Sequence, residues 1–236
     1  MVNHIVPLLA TILYFHFPQN IIINKEILYT ISLVHNIVLS SFSFYIFITL
    51  STFILTHGVV IDNGHYFSFS QFDNILFYFY ISKYVEYIDT FLIYLKGNKP
   101  IFLQLYHHSG AVISWHLAYT YKLDCFWIPT LLNSFVHSVM YAYYTLSILK
   151  IDRIKRLKKY LTILQISQLI FLFTAFKLYY RVETKNNWNI MLLCGIANVI
   201  QIVLFIDFYK KSYYTITPIS SLTLHRHYTD KKENYL

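Results

Sequence analysis

Seven runs of apolar residues follow one another along the chain, and charged or turn-forming residues separate them. A helix needs about 20 mostly apolar residues to cross the roughly 30 Å hydrocarbon core of a bilayer. The runs are too long and too uninterrupted for the alternating strands of a membrane barrel. The pattern therefore predicts helical membrane spans at about residues 3–17, 27–56, 74–95, 101–119, 126–149, 160–180 and 189–209.

The first of these spans is short and ends at Pro18. It has neither a basic leader nor a small-residue cleavage site, so we interpret it as the first helix of the bundle and not as a removed signal peptide. The predicted fold class is an all-α membrane protein with seven transmembrane helices. We expect residues 1–211 to form one transmembrane domain and residues 212–236 to form a polar cytosolic tail.

The composition supports an integral membrane protein, since 56% of the residues are hydrophobic, 19% are aromatic and only 13% are charged. A water-soluble monomer needs a more highly charged surface. The net charge of +8 does not indicate a nucleic-acid partner, because the basic residues lie between the apolar runs. The positive-inside rule of membrane proteins explains that placement.

The same rule predicts the orientation of the spans. With seven spans, fourteen of the Lys and Arg residues fall on the side of the C-terminus and four fall on the other side, while Lys83 lies inside a span. Cytosolic loops carry the excess of Lys and Arg in membrane proteins. We therefore expect the C-terminus in the cytosol and the first residues on the lumenal side.

Three ionisable residues, Lys83, Glu86 and Asp89, lie inside the third predicted span. A Lys or Asp at a helix centre costs about 2.5–3.5 kcal/mol, whereas a Leu, Ile or Phe contributes only about 0.3–0.6 kcal/mol. At 100° per residue these side chains share one face with Thr90, so we expect them to face the bundle interior. The alternative is a Lys83–Glu86 ion pair that only lets the helix insert, which leaves Asp89 without a partner.

The fourth span begins with a second polar group, Gln104, His107 and His108. Gln104 precedes the two histidines by three and four residues and shares their face. Adjacent residues of a helix point about 100° apart, so we expect one histidine to face a cavity and the other to support it. The alternative for either histidine is an ordinary hydrogen-bonded core residue.

The fifth and sixth spans each carry a stripe of hydrogen-bonding side chains at helical spacing. The stripe of the fifth span consists of Asn133, His137, Met140, Tyr141 and Tyr144, and that of the sixth span consists of Thr162, Gln165 and Gln168. Lipid contact would favour aliphatic side chains at these positions, so a polar centre of the bundle is predicted. The alternative is a seam of interhelical hydrogen bonds, worth about 0.6 kcal/mol per contact.

Together, these four stretches resemble the ELO family of very-long-chain fatty acid elongases, over about residues 27–211. Residues 83–90 fit the KxxExxDT box of that family, residues 106–108 fit the end of its HxxHH box, residues 137–144 fit HxxMYxYY, and residues 162–168 fit TxxQxxQ. One position departs from the pattern, because Gln104 replaces the first histidine of HxxHH.

The resemblance implies an enzyme of the endoplasmic reticulum membrane that condenses a long-chain acyl-CoA with malonyl-CoA to give a 3-oxoacyl-CoA, carbon dioxide and coenzyme A. Acyl-CoA and malonyl-CoA are then substrates, and no further cofactor or metal is expected. The implied partners are membrane lipid and the reductases and dehydratase of the elongation cycle, and a homodimer is one of the open oligomeric states. An acyl chain hidden from water at about 0.8 kcal/mol per CH₂ needs an enclosed acyl tunnel.

The residues also indicate which type of side chain is the nucleophile of such a reaction. Cys125 and Cys194 lie outside the polar stripes, so a thiol nucleophile is not expected and an imidazole remains. We hypothesise that His107 attacks the acyl thioester to form an acyl-imidazole. His137 would then act as a general acid and base or bind the malonyl unit, and the choice of the acylated histidine stays open.

The other polar residues receive supporting roles in this hypothesis. Asp89 would fix a histidine tautomer, Lys83 and Glu86 would hold the stripe or offer positive charge to the malonyl carboxylate, and Gln104 and His108 would support the site. The candidate substrate-binding residues are Asn133, Tyr141, Tyr144, Gln165 and Gln168, of which Asn133 and Tyr141 are candidate oxyanion donors. The basic residues between 150 and 159 would attract the phosphates of coenzyme A.

Two other classes of membrane protein are less compatible with the chain. Membrane desaturases and hydroxylases bind two irons with about eight histidines, whereas the cavity candidates here are three histidines. A seven-helix transporter or receptor would use the charged residues for ions or ligand. The broken helices typical of transporters are not indicated, because residues 74–95 and 160–180 contain neither Gly nor Pro.

Overall fold

The computed structural model describes residues 4–16, 21, 23–59, 65–183 and 187–214, with the backbone alone for residues 176–183. Within these residues the structure is all-helical and has no strand, which confirms the all-α part of the predicted fold class. Its α-helices are α1 (Ile5–Phe15), α2 (Lys25–His57), α3 (Ser70–Val85), α4 (Tyr87–Leu95), α5 (Phe102–Thr120), α6 (Trp127–Ile148), α7 (Lys158–Glu183) and α8 (Trp188–Tyr213).

Two helices of the described chain, α2 and α8, are long and apolar enough to cross a membrane by length and composition. Their most apolar windows have mean hydropathies of 2.0 and 2.2, and α1 is a shorter apolar helix. Many Ile, Leu, Phe and Val side chains lie on the surface of the bundle, such as Leu13, Leu55 and Val203. An apolar surface of this kind is typical of lipid contact.

The third predicted span differs from the structure, which divides it into α3 and α4 at Glu86. The Asp89 N–H donates to the Glu86 carbonyl at 3.2 Å, a bond over three residues that interrupts the α-helical ladder. The helix also begins at Ser70, four residues before the predicted start at residue 74. A short 3-10 helix, Tyr66–Ser68, precedes α3 because the Asp124 carboxylate accepts the backbone N–H groups of Tyr66 and Phe67, at 3.2 Å each.

Neighbouring long helices pack antiparallel to each other. The Ser40 hydroxyl of α2 donates to the Ser138 carbonyl of α6 at 2.9 Å, and Leu39 packs in the same cluster as Tyr141. The Asn198 amide of α8 donates to the Leu169 carbonyl of α7 at 3.1 Å. The start of α5 likewise contacts the end of α8 through a shared apolar cluster. Lys25, the loop between α4 and α5, the segment 150–159 and the end of α8 therefore lie at one end of the bundle.

The short helix α1 docks against α4 through Tyr14. Its hydroxyl shares a hydrogen bond of 2.8 Å with Thr90, and its ring stacks on Tyr87 with 4.1 Å between the centroids. This contact makes α1 part of the bundle. The helix α8 ends at Tyr213, two residues beyond the expected domain boundary, and the predicted tail from residue 215 onward lies outside the described residues.

Candidate active site

A buried ion pair between Lys83 and Glu86 lies at the junction of α3 and α4. The ammonium of Lys83 donates to Glu86 Oε1 and to Asn133 Oδ1, each at 2.7 Å. It also lies 3.9 Å from the ring centroid of Phe79 and 4.9 Å from that of Trp115. The lysine is 1% exposed and the glutamate 2%. Buried charges need this dense pairing, because the loss of one partner leaves the other uncompensated.

Glu86 connects this pair to His137 of α6. Its Oε1 atom lies 3.3 Å from His137 Nδ1, although the two atoms are not aligned as a regular hydrogen bond. The ring of His137 in turn faces the ring of His107 on α5, with 6.3 Å between the centroids. The structure thus brings both predicted catalytic histidines and the ion pair into one cluster.

The other predicted histidine, His108, occupies a separate and more buried position. The amide of Gln104 donates to His108 Nε2 at 2.7 Å, one helical turn away. Gln104 therefore contacts His108 and not His107, although it shares a face with both. The two adjacent histidines do point apart, since His107 lines the cavity described below and His108 does not.

Asp89, to which the simple ion-pair alternative assigns no partner, is bonded by side chains of two other helices. His35 Nε2 of α2 donates to Asp89 Oδ1 at 2.8 Å, and the Tyr141 hydroxyl of α6 donates to Oδ2 at 2.5 Å. The tautomer that this carboxylate can fix is that of His35, which lies in none of the polar stripes. The signal for His35 was present, because an ionisable residue in a long apolar span indicates an interior position.

Gln201 of α8 is a second site residue that the sequence patterns did not indicate. Its side-chain amide donates a short hydrogen bond to His107 Nδ1. The available signal was again a hydrogen-bonding side chain in an apolar span. Gln201 lies outside all four boxes that carry the family resemblance, so those boxes could not indicate it.

A cavity extends from the α3–α4 junction and these histidines between α5, α6, α7 and α8. Its polar wall comprises Lys83, Glu86, Tyr106, His107, Ser114, Asn133, His137, Gln165, Gln168, Asn198 and Gln201. Its apolar wall includes Ala111, Trp115, Phe126, Pro129, Leu172, Ala197 and Phe205. Along α6 the wall runs from His137 to Pro129, eight residues or about 12 Å of helix, away from the basic end.

Several predicted site residues are absent from this wall. Asp89, Gln104, His108, Tyr141 and Tyr144 belong to the surrounding layer of side chains, in which the Tyr141 ring packs edge-on against His137 at 5.6 Å between centroids. Tyr144 packs in turn on Tyr141, at 6.1 Å.

The position of Cys194 corrects another expectation. Its side chain lies on the cavity wall, on the same face of α8 as Asn198 and Gln201, and not apart from the polar groups. A signal for this inner face was present, because Asn198 and Gln201 follow Cys194 at the helical spacing of four and seven residues. Cys125 lies outside the cavity wall, buried against Met191.

A further histidine pair occupies the opposite end of the bundle. His116 Nε2 and His4 Nδ1 lie 3.0 Å apart, and the Tyr80 hydroxyl contacts His116 Nδ1 at 3.0 Å. Among the described residues, no group of three His, Cys, Asp or Glu side chains is placed to hold a metal ion. The metal-free site stays a prediction.

Comparisons with known proteins agree with this arrangement of boxes. The model of the GNS1/SUR4 (ELO) family matches residues 1–218. Fatty acid elongase sre1 of Dictyostelium discoideum is 41% identical over 70 residues, 29% of this chain and 26% of that protein. Very long chain fatty acid elongase 2 of Mus musculus is 40% identical over 79 residues, 31% of this chain and 26% of its own length.

A longer match is found with very long chain fatty acid elongase 5 of Tachysurus fulvidraco, 32% identical over 130 residues, which are 50% of this chain and 42% of that protein. The matched part thus spans less than half of the length of each of these three relatives. The family model, in contrast, covers nearly the whole chain. The predicted resemblance is therefore confirmed, and the chain belongs to the ELO family.

Proposed function

We propose that this protein is a fatty acid elongase that condenses a long-chain acyl-CoA with malonyl-CoA, giving a 3-oxoacyl-CoA, carbon dioxide and coenzyme A. The observation that carries the proposal is the pair of neighbouring imidazoles, His107 and His137, on the wall of a cavity beside a buried ion pair. The names of the three relatives support an elongase activity.

In the proposed first step, Nε2 of His107 attacks the acyl thioester and forms an acyl-imidazole with release of coenzyme A. An imidazole can act as a nucleophile when its attacking nitrogen carries a lone pair. His107 is the better candidate of the two adjacent histidines because it lines the cavity, whereas His108 does not.

In the proposed second step, decarboxylation of malonyl-CoA gives an enolate equivalent that attacks the acyl-imidazole. Donors that stabilise the enolate oxygen accelerate such a step. Asn133 lies on the cavity wall, and its Oδ1 is already bound to Lys83, so its amide NH₂ is the candidate donor. His137, next to Glu86, is the candidate general acid and base. Gln165 and Gln168 are wall residues available to substrate polar groups.

The cavity is the proposed site of the acyl chain. Its apolar wall extends from the two histidines away from the basic end of the bundle, between Trp115, Phe126 and Pro129. An enclosed apolar channel shields each CH₂ from water, worth about 0.8 kcal/mol per group. We propose that the chain crosses the membrane with seven spans, with α3 and α4 forming one of them, and that the channel lies within this bundle.

The membrane orientation is part of the proposal. The basic end of the bundle would face the cytosol of an endoplasmic reticulum membrane, where acyl-CoA and malonyl-CoA approach, and segment 150–159 would attract the coenzyme A phosphates. No cofactor or metal is required beyond these substrates. The reductases and dehydratase of an elongation cycle would consume the product. Lipid would surround the helical bundle, and the protein would be a monomer or a homodimer.

The test is an assay of membranes that contain the protein, with labelled malonyl-CoA and acyl-CoAs of several lengths. His107→Ala should lower the rate of malonyl incorporation by about three orders of magnitude, as expected for loss of a nucleophile. His137→Ala should reduce it by about 10²- to 10⁴-fold, the range for a general acid–base group.

His116→Ala is the matched control, because it removes a buried imidazole from the other end of the bundle. Activity per mole of inserted protein should remain within a few-fold of wild type for this variant. Full turnover by both His107→Ala and His137→Ala would disprove the proposed assignment.

A further inference from the structure

Gln201 is the one polar contact of His107 from α8. Its amide is bonded to His107 Nδ1, and both side chains line the cavity. Phe205, one turn further along α8, places its ring edge-on to the same imidazole, with 6.2 Å between the centroids. The helix α8 therefore fixes the position of the imidazole and contacts the ring nitrogen that does not attack in the proposed mechanism.

The contact matters because a neutral imidazole carries a single proton. The nitrogen that bears it is a donor, and only the other nitrogen has the lone pair of a nucleophile. For Nε2 of His107 to attack a thioester, Nδ1 must hold the proton and donate it to an acceptor. The partner of Nδ1 therefore decides which nitrogen is reactive.

We propose that Gln201 is a positioning residue that selects the reactive tautomer of His107 and then stabilises the acyl-imidazole. Before acylation, the amide oxygen of Gln201 accepts a hydrogen bond from the Nδ1–H group of His107. The lone pair of the imidazole is then on Nε2. After acylation, the amide NH₂ donates to the bare Nδ1. The inference rests on the proposed role of His107 as the nucleophile.

An amide is suited to both states, because a turn of 180° about its last bond exchanges its oxygen acceptor for its nitrogen donor. The structure has the NH₂ group toward Nδ1, so the reactive tautomer requires the half-turn that brings the amide oxygen to Nδ1. A carboxylate at this position could only accept, and a hydrocarbon could do neither.

The acylation step balances with this assignment. The bond between Nε2 and the acyl carbon forms, and the thioester C–S bond breaks. The proton that leaves Nδ1 ends on the sulfur of coenzyme A, so a neutral histidine and an acyl-CoA give a neutral acyl-imidazole and a free thiol. Gln201 gains and loses no proton and changes only the direction of its hydrogen bond.

The first test compares Gln201→Leu with wild type during single acylation. Purified enzyme is mixed with palmitoyl-CoA without malonyl-CoA, and coenzyme A release and the mass of the intact protein are followed. Loss of the Nδ1 partner should slow acylation by roughly 10- to 100-fold, the range for an unsatisfied buried polar group. The palmitoyl-CoA concentration that half-saturates acylation should stay within about two-fold, because the proposed effect of Gln201 is exerted through His107.

The second test uses Gln201→Glu, which retains an acceptor but removes the donor. Other ionisable groups near the His107 ring are His108 on α5, Lys83 and Glu86 at the α3–α4 junction, and His137 on α6. An added carboxylate stabilises the imidazolium, which has no lone pair to attack with, so the acid limb of the acylation rate should move to higher pH. The acyl-protein should also be shorter-lived than in wild type, because no donor stabilises the bare Nδ1.

Val203→Leu is the control for both variants, since Val203 lies on the exposed face of α8 and is 60% exposed. It should acylate as wild type does. Acylation of Gln201→Leu at the wild-type rate, or a pH profile and acyl-protein lifetime of Gln201→Glu that match wild type, would overturn the inference. If Gln201→Leu does not insert, Gln201→Glu alone decides.

These outcomes separate the inference from the proposed function. A wild-type protein that gains no acyl mass and releases no coenzyme A contradicts the acyl-histidine intermediate itself. A wild-type protein that is acylated, together with a Gln201→Leu protein acylated equally fast, contradicts only the role of Gln201.

Discussion

At the scale of single residues, Asp89 shows how a costly buried group becomes a connector between helices. The carboxylate receives one bond from α2, through His35, and one from α6, through Tyr141. The Tyr141 ring then packs against His137, so the position of a proposed catalytic group depends on it. Bonds to a carboxylate are stronger than the neutral contacts that average about 0.6 kcal/mol within membranes.

Tyr141→Phe should therefore destabilise the protein by about 1–3 kcal/mol, because it leaves one oxygen of Asp89 without this donor. Tyr143→Phe is the matched control: the Tyr143 hydroxyl is buried and has no hydrogen-bond partner among the described residues. Its removal should be neutral or slightly stabilising. Thermal unfolding in detergent measures both variants, and equal losses of stability would contradict the assigned role of Asp89.

The polar residues of the site were predictable to different degrees. Lys83, Glu86, His107 and His137 belong to local patterns, because charged or imidazole side chains in an apolar span have few positions other than the interior. Their partners come from helices distant in the chain, such as Asn133 for Lys83. The local spacing of residues does not indicate which distant side chain will contact a given polar group.

At the scale of helices, the apolar runs predicted where the main elements lie, and most ends agree within a few residues. The break at Glu86 was not predictable from hydropathy, since the run continues across it. It separates Lys83, which bonds to α6 through Asn133, from Asp89, which bonds to α2 and α6. Contacts between helices, and not local propensity, accompany this break.

The helix directions also yield a test of membrane orientation. The antiparallel packing gathers the basic loops at one end of the bundle, so the positive-inside rule predicts that this end and the C-terminus face the cytosol. The chain contains no Asn-X-Ser or Asn-X-Thr glycosylation acceptor, which gives a clean background. An acceptor appended after Leu236 should stay unglycosylated, whereas one placed in a flexible linker after Asp62 should be glycosylated. The reverse result would invert the orientation.

At the scale of the whole molecule, the cavity is the feature that α3, α5, α6, α7 and α8 form together. Gly110 lies on its wall one helical turn beyond His107, and a Cβ atom added there would meet no heavy atom within 4 Å. The space next to Gly110 therefore belongs to the proposed acyl channel and not to a tight helix contact. A bulky side chain that fills the space next to Gly110 should therefore reveal the path of the acyl chain.

Gly110→Phe should lower elongation of a sixteen-carbon acyl-CoA by about 10-fold or more, and that of an eight-carbon acyl-CoA less, because bulk in a pocket costs on the order of 1–3 kcal/mol per misfit. Gly110→Ala should keep activity and stabilise the helix by up to about 1 kcal/mol. Gly195→Phe adds the same bulk outside the cavity wall, also at a site with open space. Equal inhibition by both Phe variants, or no dependence on chain length, would contradict the proposed channel.

The sequence by itself determined the all-helical class, the approximate helices, the four boxes and the family, because each depends on local hydropathy or on residues at short spacing. Only the tertiary structure decided that His35 and Tyr141 bind Asp89, that Gln201 contacts His107, and that Cys194 reaches the cavity. The physical reason is that burial cost acts on each residue separately, whereas hydrogen-bond partners and cavity walls depend on the relative placement of helices far apart in the chain.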